Sequence, residues 1–171
     1  MPFPTPEILS GQNAHVGHNR KMQTPPVDSF AQLSRSLLVE GMTEEQIKVL
    51  ASCGKYLMYE EGEALVTRED TVFDLLLIVD GKCEIRTDMN DLLYRLGPDS
   101  LIGEVSFLDH KVRSAKAVAS GQCQAICFPA SLLNDLEADR PDIVAKLLKN
   151  LGIVLCQKLR STTRFAEASF V

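Results

Sequence analysis

The chain has 171 residues, 45% of them hydrophobic and 24% charged, which is enough apolar material for one soluble domain with an extension. A formal charge of −5 argues against broad affinity for nucleic acid or anionic membrane, because neutralising many phosphates needs a basic surface. No apolar run approaches the roughly 18 residues of a membrane span, no secretory signal pattern opens the chain, and Pro2 excludes N-myristoylation. The five cysteines (Cys53, Cys83, Cys123, Cys127 and Cys156) are odd in number and sit mostly among apolar neighbours. That usage predicts buried thiols in a reducing cytoplasm and no disulfide framework.

Residues 1–26 hold five of the eight prolines and little periodic hydrophobicity, so they predict an extended arm. His15 and His18 lie in this arm without a nearby carboxylate or cysteine, and no metal site is expected. The remaining 27–171 predict one domain. Residues 28–39 predict an amphipathic helix through Phe30, Leu33, Leu37 and Leu38. Thr43-Glu44-Glu45-Gln46 then reads as a capping box opening a second helix, with Gly54 placed to stop it, so that helices fill 28–53.

From 55 to 128 short apolar segments recur at roughly 8–12 residues between turn signals, the rhythm of an all-β sandwich or barrel. The predicted strands are 55–59, 64–68, 73–79, 83–86, 92–96, 115–119 and 123–128. Cys123 and Cys127 fall on one strand face about 13 Å apart, too far for a disulfide. Helices return over 131–165: a short one at 131–137, then a long one that Pro141 opens and that runs to about Arg164. Val144, Leu148, Leu151, Leu155 and Leu159 form its apolar stripe, suited to packing on a barrel or on a second copy. The fold class expected is α+β, an antiparallel jelly-roll barrel flanked by N-terminal helices and a long C-terminal helix.

The stretch Gly103-Glu104-Val105-Ser106 through Arg113-Ser114-Ala115 interrupts the strands with a short helical turn. Glycine lets backbone approach a ligand closely, and helix-opening N–H groups favour an anion. Arg113 brings a planar fork to the same spot, where each charge-assisted hydrogen bond is worth about 1.5–3 kcal/mol. Glu104 repels phosphate, so its role there is to accept a hydrogen bond from a hydroxyl such as a ribose 2′-OH.

Gly103-Glu104, a nine-residue step from Glu104 to Arg113, and Arg113-Ser114-Ala115 resemble the phosphate-binding cassette of the cyclic-nucleotide-binding domain family. Gly62 and Gly81 match its turn glycines, Gly97-Pro98 precedes the cassette, and Pro141-Asp142 opens the final helix, so the resemblance covers about residues 30–160. It implies a ligand, cAMP or cGMP with cAMP favoured, and no cofactor. Glu104 would take the ribose 2′-OH and Arg113 the exocyclic phosphate oxygens. Ser114, Ala115, Gly103 and the N–H groups of Val105 and Ser106 would complete the cradle. The base would lie under the C-terminal helix near Thr162 or Thr163, although a gapless alignment with the catabolite-activator branch sets Lys158 and Leu159 at the base. Three departures stand out: Val112 where proline is frequent, His110 where a small residue is common, and no glycine in Arg68-Glu69-Asp70-Thr71-Val72-Phe73.

The resemblance implies a non-catalytic sensor that acts through its own homodimer, held by the C-terminal helix, or through a protein partner. The same fold without a nucleotide would be a scaffold. A jelly-roll metalloenzyme needs several histidines from neighbouring strands, and only His110 lies in that region. DNA binding would need a helix-turn-helix after the long helix, and seven residues follow Arg164, so neither DNA nor membrane is an expected partner.

Overall fold

The computed structural model describes residues 21–22 and 29–168. Two antiparallel sheets face each other, and helices cover the outer face of the larger one. The five-stranded sheet runs β1 (Lys21–Met22), β2 (Lys55–Tyr59), β9 (Cys123–Phe128), β4 (Leu75–Asp80) and β7 (Leu101–Ile102). The four-stranded sheet runs β3 (Ala64–Val66), β8 (Lys116–Ala119), β5 (Cys83–Arg86) and β6 (Leu92–Leu96). The sheets form an open sandwich rather than a closed barrel. Apart from β1, which pairs Lys21 with Met58 and Met22 with Leu57, the arm 1–26 lies outside the described residues.

Alternation along β4 and β9 builds two cores. Leu75, Leu77, Ile126 and Phe128 pack with the helices, whereas Leu76, Ile78, Cys123, Ala125 and Cys127 fill the space between the sheets. Burial pushes the Cys83 thiol up to about 12 and the Cys123 thiol to about 11, so both behave as core side chains.

The expected first helix breaks in two. α1 spans Ser29–Ser34, and a 3-10 turn follows at Leu37–Val39, where the Ser36 hydroxyl accepts from the Leu38 N–H. In α2 (Glu44–Cys53) Thr43 and Gln46 cap each other as the motif predicts. Gly54 ends that helix with an ordinary negative φ, not in the left-handed form expected of a stop glycine. Glycine is needed there because a Cβ would come within 2.6 Å of the Ile126 side chain. Three predicted strands are shorter than expected: β3 stops at Val66, β4 starts at Leu75 and β8 starts at Lys116. The edge strand β7 is too brief for a periodic signal.

α4 (Leu132–Glu137) leads to α5 (Pro141–Ala168). The inward face of α5 is Ile143, Leu147, Asn150, Leu151 and Val154, a correction to the expected stripe, of which only Leu151 is fully buried. Leu148 and Leu159 are 42% and 69% exposed. One turn is 3.6 residues, so a stripe drawn every three or four residues slides around the cylinder and mixes two faces.

Candidate functional site

The cassette connects the sheets: β7 at the edge of one leads through Gly103 into α3 (Glu104–Asp109), and the chain returns through Arg113 to β8. Gly103 has φ +85°, and a Cβ on it would lie 1.9 Å from Arg113 Nη1. Glycine is therefore required twice over, for the turn and for the guanidinium beside it.

Arg113 is 3% exposed. Its Nη1 donates to the Gly103 carbonyl at 3.2 Å, and its Nη2 donates to the carbonyls of Asp74 at 2.8 Å and Val72 at 3.4 Å. Its Nε–H has no partner, and among the described residues no carboxylate lies within ion-pair distance. Burial pulls this guanidinium below its usual range, offset in part by the fields of Asp70 and Asp74. A buried cation held only by neutral carbonyls is electrostatically incomplete, since burying a charge is costly unless a countercharge accompanies it.

Glu104 is 6% exposed, and its Oε1 accepts a 2.8 Å bond from Lys158 Nζ, which also donates to the Leu101 carbonyl at 2.8 Å. This partner comes from α5, 54 positions away in the chain. The sequence carried a trace of it, because Lys158 continues the inward line of Leu147, Leu151 and Val154, where an apolar residue would be expected. The alignment that set it at the base gave it a different task from the carboxylate contact found here.

A cavity of about 70 Å³ gathers Gly103, Glu104, Val105, Ser106, Arg113, Ser114 and Ala115, with Tyr94 and Lys158 on its wall. A larger one of about 510 Å³ shares Tyr94, Leu96, Leu101 and Lys158 with it and extends to Leu37, Val154 and Thr162. Seven of the nine expected site residues thus meet in one cavity and Thr162 stands on the next. Thr163 lines neither of these two cavities, being one residue, or 100°, around the helix from Thr162. Both threonine hydroxyls donate to helix carbonyls four residues back. Among the described residues no cluster of three or more His, Cys, Asp or Glu is arranged to hold a metal ion.

Residues 56–140 match the family model of the cyclic nucleotide-binding domain. The chain carries a cyclic nucleotide-binding domain. It is 27% identical over 134 residues to the CRP-like cAMP-activated global transcriptional regulator of Mycobacterium tuberculosis, covering 76% of this chain and 58% of that protein. It is 34% identical over 88 residues to the cyclic AMP receptor protein of Thermus thermophilus, covering 49% of this chain and 41% of the relative. The matches therefore span about half the length of these curated relatives. The crystal structure of the Thermus thermophilus catabolite activator protein superposes with a TM-score of 0.66 at 27% identity, over 78% of this chain and 62% of the other. A cyclic nucleotide-binding domain from Methylobacillus flagellatus gives 0.76 at 24% identity over 82% and 83%, a likeness of fold. The curated relatives are named as a transcriptional regulator and a receptor protein. No described helix is long and apolar enough to cross a membrane.

Proposed function

We propose that this domain is a non-catalytic sensor of a 3′,5′-cyclic mononucleotide, cAMP before cGMP. The observation that carries the reading is Arg113, a buried guanidinium with no carboxylate partner and an unpaired Nε–H, on the wall of the small cavity. A cyclic phosphate supplies one negative charge and acceptor oxygens. Glu104 and Lys158 neutralise each other, which leaves Arg113, with Lys116 on the same wall, as surplus positive charge suited to an anion. Glu104 accepts from the ribose 2′-OH, and Ser114 with the N–H groups of Val105 and Ser106 lines the phosphate cradle beside Gly103 and Ala115. The larger cavity, mostly apolar and within the size range of ligand sites, receives the base beside Thr162.

In this reading the protein works in the cytoplasm and its output passes through α5. Exposed Leu148 and Leu159, with half-buried Leu155 between them, form an outer apolar flank, and pairing two copies about a two-fold axis would cover both flanks. The chain's negative charge favours a protein partner over DNA.

Calorimetric titration and thermal shift with cAMP and cGMP test the proposal. One molecule of cAMP is expected per chain, with a rise in melting temperature, because a ligand specific for the native state stabilises it. Arg113→Ala should cost about 2–5 kcal/mol of binding, by analogy with truncated charge pairs. The reading fails if neither nucleotide at millimolar concentration gives heat or a shift, leaving a nucleotide-free scaffold. An affinity loss below about threefold in Arg113→Ala would move the phosphate elsewhere.

A further inference from the structure

The loop between β3 and β4 lacks the glycines that a loose connection would carry, and side chains hold it at both ends. The Asp70 carboxylate accepts from the Thr67 N–H and hydroxyl at 2.9 Å each. The Asp74 carboxylate accepts from the Ala130 N–H at 3.0 Å, which ties the loop to the end of β9. Between these anchors the carbonyls of Val72 and Asp74 accept from Arg113 Nη2. The Phe73 ring lies against the same group, with Arg113 Cζ 6.0 Å from its centroid. His110, the left-handed residue that ends α3, closes on the ring at 6.4 Å between centroids and 55° between planes.

We propose that Phe73 is a positioning residue for the anion-binding guanidinium: it holds Arg113 through its ring face and leaves the Nε–H edge available to ligand. The inference rests on the proposed role of Arg113. Its physical basis is that a desolvated guanidinium needs compensation, and an aromatic face supplies negative potential without consuming an N–H donor. A carboxylate in the place of Phe73 would neutralise Arg113 and occupy its fork. The three carbonyl bonds tie down Nη1 and Nη2 only. Nε–H and one Nη2–H lie on the same edge of a guanidinium, and the Nη2 bond to Val72 is the longest of the three, so it yields first to a phosphate. That edge then offers two parallel bonds to an anion.

The test compares wild type with Phe73→Leu and Phe73→Met, which keep bulk and lose the aromatic face, and with Phe73→Tyr, which restores it. In ligand-free protein labelled with ¹⁵N, the Arg113 Nε–H resonance should be displaced by the ring current in wild type and in Phe73→Tyr. The displacement should collapse in Phe73→Leu and Phe73→Met. Titration with cAMP and cGMP should show affinity lower by about three- to tenfold in Leu and Met and within about twofold of wild type in Tyr, at similar ligand-free melting temperatures. An Arg113 resonance that is unchanged in both Leu and Met overturns the proposal. So does wild-type affinity in both variants, or an affinity loss in Tyr as large as in Leu. If wild type keeps the ring-shifted resonance but binds neither nucleotide, the nucleotide reading falls while the placement of Arg113 by Phe73 stands.

Discussion

The two halves of α5 are anchored in different ways. Up to Leu151 the helix is fastened by side chains that reach the N-terminal segment. Arg140, just before its first turn, pairs with Glu45, and Asp142 accepts from Gln46 at 2.6 Å. Hydrogen bonds from Arg140, then from Gln46, hold the Asp142 carboxyl well below the usual carboxylate range. Lys146 donates to the Gly41 carbonyl, and the buried Asn150 amide donates to the carbonyls of Leu38 and Glu40. Beyond Gly152, Val154 is the last buried apolar residue and Lys158 is the one side chain that bonds to the β-sandwich and its cassette, among the described residues. Its ammonium donates both to the Leu101 carbonyl of β7 and to the cassette carboxylate of Glu104. The lesson is that this helix carries its stability and its contact with the pocket on separate segments, and segments with few buried contacts open at the lowest free energy.

The contrast breaks first at Leu147. Leu147→Ala should cost about 2–5 kcal/mol in urea unfolding, because the side chain is fully buried and its neighbours cannot all collapse into the space. A loss under 1 kcal/mol would mean that the anchored half is no better packed than the other. Lys158→Met comes next. It strands Glu104 in a buried site, and since Lys158 is itself a third exposed the cost should be about 1–3 kcal/mol, less than for a fully buried pair. Hydrogen exchange should locate that effect, with amides of 153–163 opening faster and those of 143–151 unchanged. Uniform acceleration along α5 would erase the distinction. The smallest effect on folding belongs to the outer flank: Leu148→Glu with Leu159→Glu should leave monomer stability within about 0.5 kcal/mol per substitution. Sedimentation of wild type at tens of micromolar should give a dimer that this double variant lacks. A wild type that runs as a monomer with and without nucleotide would make the flank ordinary surface.

The cassette was legible because it is local. Gly103, Glu104, Ser106 and Arg113 stand within eleven consecutive residues, and their types alone state the chemistry of an anion beside a hydroxyl. The capping box at Thr43 and the rhythm of strands from 55 to 128 were legible for the same reason, since caps and two-residue alternation are written in neighbouring positions. The stripe on α5 was misread because the apolar residues of that helix fall on two adjoining faces, and periodicity does not say which one meets the sheet.

The sequence by itself determined the sandwich of short strands, the flanking helices and the identity of the groups around the small cavity. Only the tertiary structure decided that Lys158 sits on Glu104, that Phe73 lies against Arg113, and that Thr162 lines a cavity while Thr163 does not. Those pairings join residues 54 and 40 positions apart, or separate neighbours by a 100° turn of helix. Their partners are chosen by how sheets and helix pack, a property of the whole chain that no short window of residues contains.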